Sequence, residues 1–139
     1  MAIPVLLGWI VALAGCYKPG MDESWRDGRY ALISIDTESQ MGLCWVSSDG
    51  SYIDVVDATV FAVGSNARFI VVKRHPSLDL SATKYDRSVT EYFIVKRVPT
   101  LDTNDPTAGV EGPLSEVQFR DSVSRLSLPA FSKVFDNLK

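Results

Sequence analysis

The chain has 139 residues, of which 46% are hydrophobic and 22% charged, and its formal net charge is −3 at neutral pH. This length and composition are typical of one globular domain with a modest core. The small negative charge does not indicate nucleic acid as a partner, because nucleic-acid-binding domains are typically basic.

Residues 3–15 contain no charged side chain and are dominated by Leu, Ile, Val and Ala. The segment is shorter than the roughly 20 residues of a membrane-spanning helix, and its length is typical of the apolar region of a secretory signal peptide. It ends in Leu13-Ala14-Gly15-Cys16, which resembles the lipobox of bacterial lipoproteins. An uncleaved apolar anchor or a buried first strand is the alternative interpretation.

The lipobox resemblance implies that the chain is cut between Gly15 and Cys16 and that the Cys16 thiol carries a diacylglycerol anchor. One feature departs from that family, since no Lys or Arg precedes the apolar segment. Tyr17 follows the cysteine, where retention in the inner membrane would favour Asp. We therefore expect a lipid-anchored protein of the bacterial cell envelope, at the outer membrane and facing the periplasm.

This interpretation divides the chain into three parts. Residues 1–15 are a lipoprotein signal peptide, and residues 16–28, which are polar and contain Pro19 and Gly20, form a lipidated tether. Residues 29–139 form a single β-rich globular domain. Apolar and β-branched runs predict its strands at residues 29–36, 42–46, 51–56, 58–63, 69–74 and 93–97.

The sequence FIVVKR at residues 69–74 returns as FIVKR at residues 93–97. We expect these two strands to pair as antiparallel neighbours, joined by a loop over residues 75–90. That pairing places Arg74 beside Glu91. It puts the basic pairs Lys73-Arg74 and Lys96-Arg97 at opposite ends of the two strands. Residues 68–97 hold seven basic and three acidic side chains. We expect these basic side chains to form ion pairs with acidic residues elsewhere in the domain. The alternative is a positive patch that binds anionic lipid or an acidic partner.

Residues 99–113 are rich in Pro, Gly, Asp and Thr and predict a loop. Ser115 and Gln118 match a helix capping box, and Phe119, Val123 and Leu126 share one helical face. The tail after Pro129 predicts a short helix or turn. The sequence thus predicts an α+β fold, an antiparallel β-sheet of five or six strands with one C-terminal helix packed on it.

The phrases RFIVVKRHP, TEYFIVKR and GVEGPLSEVQF resemble a family of small uncharacterised bacterial lipoproteins. Members have a similar strand pair followed by a GPLSxxxF-type motif and a helix. The resemblance covers roughly residues 29–135. It implies folding roles for Gly112, Pro113 and Phe119, and it brings no catalytic residue.

Few side chains suggest a catalytic or reactive role. Cys44 lies in an apolar run, which predicts a buried free thiol, with an intermolecular disulfide as the alternative. His75 stands between Arg74 and Pro76 at a strand end and is expected in a surface loop. Asp54 and Asp57 are interpreted as solubilising charges.

A zinc site takes three or four ligands, mostly His and Cys, and once Cys16 is assigned to lipid attachment, only His75 and Cys44 remain. We therefore expect neither a metal nor a cofactor. The sequence contains no GxSxG nucleophile motif, and we do not predict an enzyme.

We expect a non-enzymatic envelope lipoprotein that binds a protein partner of the envelope or has a structural role there. The loop over residues 75–90 is the candidate interaction site, with His75, Lys84, Tyr85 and Arg87 as its candidate residues. The phrases SDGSYI and GSNARFIVV faintly resemble loops of periplasmic lysozyme inhibitors. An inhibitor or exclusion factor is therefore the first alternative, and an enzyme with an unrecognised site is the second.

Overall fold

The computed structural model describes residues 20–97 and 105–139. In these ranges the chain forms nine strands and one helix, which confirms the α+β class. The helix α1 spans Glu116–Leu126. The strands are β1 (Met21–Asp27), β2 (Tyr30–Ile35), β3 (Thr37–Val46), β4 (Tyr52–Val56), β5 (Val60–Ser65), β6 (Phe69–Arg74), β7 (Glu91–Lys96), β8 (Val110–Leu114) and β9 (Lys133–Val134).

The strands form two antiparallel sheets rather than one. The N-terminal sheet has the order β1-β2-β3-β4, and the C-terminal sheet has the order β8-β7-β6-β5-β9. As predicted, β6 and β7 are neighbours, and Arg74 lies opposite Glu91. The two side chains form an ion pair.

Strand β1 corrects the predicted tether. Residues 16–19 lie outside the described residues, but Met21–Asp27 pair with β2 from Met21 opposite Ile35 to Asp27 opposite Tyr30, with one register shift between Glu23 and Trp25. The segment can be polar because it is an edge strand whose side chains are exposed or half-buried. Backbone pairing with an apolar neighbour therefore decides its structure, and its own composition does not.

The main core lies between the two sheets, because side chains alternate along each strand. Tyr30 and Leu32 of β2 and Ile70 and Val72 of β6 all belong to one buried cluster. The residues between them point to the opposite faces of their sheets. Each sheet therefore has an inner face in the shared core and an outer face.

Helix α1 covers the outer face of the C-terminal sheet. Its capping box is present as predicted: the Ser115 hydroxyl accepts from the Gln118 N–H, and the Gln118 side chain accepts from the Ser115 N–H. Phe119 is buried against Tyr92. The predicted apolar face is wrong at Val123, which is 37% exposed. Ser122 is buried in its place, since the helix is rotated toward that side.

Strand β8 replaces the last part of the predicted loop. Residues 99–104 of that loop lie outside the described residues, whereas Val110–Leu114 pair with β7. Gly112 has φ +145, and a Cβ there would lie 2.6 Å from Cδ1 of Phe93. Only glycine allows this close approach of the strand to its neighbour.

Candidate functional site

The outer face of the N-terminal sheet carries a groove. Its volume is about 840 Å³, and its second wall is the loop of residues 76–82, here called the wall loop. All four strands of the N-terminal sheet contribute side chains to the lining, along with Arg74 at the end of β6. In the described part of the chain, the helix packs on the other sheet, so this face has no helical cover.

The floor of the groove is apolar. Ile33 and Cys44 are buried in a small cluster on this outer face, and Met21 packs against them. All three line the groove. They are the alternate residues of strands whose other side chains fill the main core, so the strand pattern itself places an apolar surface on the outside.

Cys44 is a buried free thiol, in line with the favoured sequence interpretation. Its Sγ donates to Oδ1 of Asp54 at 3.5 Å. Burial raises the pKa of the Cys44 thiol to about 12, and the neighbouring Asp54 carboxylate adds to the increase. The thiol is therefore protonated at neutral pH, and the reactive thiolate is disfavoured.

The polar part of the groove is acidic. Asp54, Asp57 and Asp79 line it, and Arg74 is the one basic residue among the described residues of the lining. Arg74 is paired with Glu91, whose carboxylate balances its charge. A hydrogen bond from the Thr83 hydroxyl lowers the pKa of Asp79 below its usual range. Three carboxylates thus face the groove, and its nearest cation is already neutralised.

Two hydrogen bonds hold the wall loop against the sheets. The Gln40 side-chain amide donates to the Ser81 carbonyl at 2.7 Å, and the Ser77 hydroxyl donates to the Ala58 carbonyl at 3.1 Å. Oε1 of Gln40 is buried and has no hydrogen-bond partner among the described residues.

Large apolar side chains lie exposed around this groove. Leu80 of the wall loop is 108% exposed, and Ile35 at the end of β2 is 50% exposed. Tyr52 of β4 is also exposed, and all three line the groove. None of the three is among the candidate residues predicted from the sequence. The available indication was the pair Leu78 and Leu80, two leucines in an otherwise polar loop.

The prediction of an exposed His75 is wrong, since this residue is only 3% exposed. Its ring stacks on Phe61 with centroids 4.2 Å apart and faces Tyr85 on the other side. Nδ1 lies 2.7 Å from the Val89 carbonyl, and Nε2 has no hydrogen-bond partner among the described residues. The loop that follows β6 folds back over the ring, which a strand-end position in the sequence does not reveal.

The other candidate residues of the 75–90 loop are divided between two roles. Tyr85 packs against the core. Arg87 donates to the Tyr85 hydroxyl at 2.7 Å and to the Asn137 carbonyl at 3.0 Å, so it ties the loop to the C-terminal tail. Lys84 is exposed.

Several predicted features lie outside the described residues, namely the signal peptide, the cleavage position at Gly15 and the lipid-attachment residue Cys16. In residues 20–97 and 105–139, no helix has the length and apolar character needed to cross a membrane. Nor do the described His, Cys, Asp and Glu side chains form a group of three that could hold a metal ion.

Comparison with known proteins gives no relative: no family model, curated protein or solved structure matches the chain. The resemblance to small bacterial lipoproteins therefore stays a prediction.

Proposed function

We propose that this protein is an envelope lipoprotein, anchored through Cys16, whose domain binds another protein through the outer face of the N-terminal sheet. The observation that carries the proposal is the exposed apolar surface beside the groove, where Leu80 is fully exposed and Ile35 half exposed. Exposed apolar patches bordered by polar residues are characteristic of interaction sites.

The contrast between the two sheets supports this role. The outer face of the C-terminal sheet is buried under α1, where Phe119 packs on Tyr92. Ile33 is buried on the outer face of the N-terminal sheet too, but there the described cover is the wall loop, and Ile35 and Leu80 stay exposed beside it. An apolar sheet face of this kind is stabilised when another surface covers it.

The anchoring half of the proposal rests on Leu13-Ala14-Gly15-Cys16. Strand β1 begins at Met21, five residues after the cysteine. At roughly 3.5 Å per residue, the anchor and the first strand are separated by at most about 17 Å. A lipidated Cys16 would therefore hold the domain close to the membrane surface, where partners in the same membrane are accessible.

An inhibitor or exclusion factor is the second candidate, and one observation favours it. Leu80 is exposed in a loop whose two ends are fixed, by the buried His75 on one side and by Tyr85 on the other. A side chain presented in this way is suited to insertion into a cleft of a target enzyme. In this case the partner is an exogenous enzyme rather than a resident protein of the envelope.

A pull-down from detergent-solubilised host envelope tests the binding role, with the full-length protein as bait and mass spectrometry as the readout. The bait carries either the parent sequence, Leu80→Asp, or Val117→Asp as the matched control. Val117 is an exposed apolar residue of α1, away from the groove. We expect one partner with the parent and the control, and its loss with Leu80→Asp. Equal recovery with all three baits, or no specific partner, would contradict the proposal.

The anchor is tested separately with Cys16→Ala. We expect this variant to lose palmitate labelling and to leave the membrane fraction. Retention in the membrane with unchanged labelling would show that Cys16 is not the attachment residue.

A further inference from the structure

We propose that the groove on the N-terminal sheet takes a segment of the partner protein in which a lysine or arginine is flanked by large apolar side chains. This inference rests on the proposed function and specifies the chemistry of its partner.

The charge of the groove points to a basic segment. Asp54, Asp57 and Asp79 line it together, and the Arg74 guanidinium that also faces it is paired with Glu91. An acidic segment would meet three like charges and no free cation among the lining residues. Charge complementarity of this kind selects partners and rejects those of the wrong sign.

The exposed apolar side chains of the groove point to large side chains beside that charge. Ile35, Tyr52 and Leu80 line the groove and stay exposed, whereas the floor residues are already buried. A volume of about 840 Å³ lies in the range of pockets that enclose a ligand the size of a few side chains. A lysine or arginine stem can itself lie on an apolar surface while its charged end reaches a carboxylate.

The Cys44 thiol is the partner of Asp54 within the protein. It is buried, and it donates its hydrogen to Asp54. One Asp54 oxygen is thus used within the protein, while the carboxylate keeps its second oxygen as an acceptor. The substitution Asp54→Asn preserves an oxygen acceptor for Cys44 and removes only the charge, which makes it a mild test variant.

The test uses the full-length protein in detergent micelles and two fluorescently labelled probes of equal length. One peptide alternates leucine with lysine, and the other alternates leucine with glutamate. Fluorescence anisotropy gives the dissociation constant of each peptide. We expect the lysine peptide to bind at least tenfold more tightly, and its affinity to fall when the salt concentration is raised, because salt screens exposed charges.

The variant Asp54→Asn/Asp57→Asn should weaken binding of the lysine peptide by about threefold to tenfold, the range expected for two partly exposed charge pairs. The matched control is Asp121→Asn, which removes a charge from an exposed residue of α1 on the opposite side. It should leave the affinity unchanged.

Equal affinity for the two peptides, an equal loss in the Asp121→Asn control, or no binding of the lysine peptide would overturn the inference. These outcomes are distinct from failure of the proposed function. If the pull-down yields a Leu80-dependent partner but the peptides bind equally, only the basic character of the partner is refuted. If the pull-down yields no such partner, the binding role itself is refuted.

Discussion

Replacement of Phe119 by alanine tests how helix α1 is held on the C-terminal sheet. Phe119 is 6% exposed, and its ring lies 4.8 Å from the ring of Tyr92 and 5.6 Å from that of Phe131, measured between centroids. It is the first apolar residue of the helix to contact the sheet, and truncation leaves the space between these two rings unfilled.

The magnitude follows from two contributions. Full burial of a phenylalanine side chain stabilises by about 1.5–3 kcal/mol, and each aromatic contact adds about 0.5–1.5 kcal/mol. The sum agrees with the ~3–5 kcal/mol measured for core Phe→Ala changes. We expect Phe119→Ala to lower the free energy of unfolding by about 3–4 kcal/mol, near the lower end of that range because Phe131 can move into part of the space.

Urea unfolding of the full-length protein, followed by tryptophan fluorescence, measures the change. Val123→Ala is the control, since Val123 lies on the same helix but is 37% exposed. Val123→Ala should lower the free energy of unfolding by less than about 1 kcal/mol. A loss below about 1 kcal/mol for Phe119→Ala, or equal losses for the two variants, would show that the helix does not dock through Phe119.

Three further predictions concern single side chains. Ser115→Ala removes the helix cap and should lower the free energy of unfolding by about 1 kcal/mol, measured by urea unfolding beside Ser115→Asn, which should retain most of the stability. For Cys44, burial raises the thiol pKa from 9.0 to about 12. The stability that the protonated thiol contributes is therefore intact below about pH 9 and is lost as the pH rises toward 12. The stability advantage of the parent over Cys44→Ala should therefore shrink between pH 8 and pH 11, and an advantage independent of pH would contradict this reasoning. His75→Phe keeps the stacking on Phe61 but removes the Nδ1 contact with the Val89 carbonyl, so its unfolding free energy should fall by about 1–1.5 kcal/mol. His75→Ala removes the stacking as well and should lower the unfolding free energy further; equal losses for the two variants would show that stacking does not hold the ring.

Much of the fold is predictable because local patterns and tertiary packing agree. The repeated FIVVKR and FIVKR runs are apolar on both faces, which suits central strands buried on both sides, and they form β6 and β7 as expected. The capping box at Ser115 requires only residues three apart in sequence. Such local or strongly apolar features are available from the sequence alone.

The missed strands have compositions that do not predict a strand, and each forms by pairing with a neighbouring strand. β1 is polar, and it is a strand because β2 offers it a hydrogen-bonded edge. β8 contains Gly112 and Pro113, residues that ordinarily disfavour strands, and it forms on the edge of β7. Without these strands the sequence predicts one sheet, so the outer face of the N-terminal sheet and its groove are not predicted.

The groove depends on packing that a strand pattern alone does not give. Cys44 and Asp54 come into contact through the pairing of β3 with β4. The exposed Leu80 is brought to the sheet by the course of the wall loop. The lipobox, in contrast, is a contiguous motif that sequence analysis can recognise without any structure.

The most direct test of the binding role is site-specific photo-crosslinking in intact cells of the native host. A photoreactive amino acid replaces Leu80 in one full-length variant and Val117 of α1 in the other, and both positions are exposed apolar residues. The proposed role predicts a discrete protein adduct from position 80 and none from position 117. An adduct from both positions, or from neither, would contradict binding through the outer face of the N-terminal sheet.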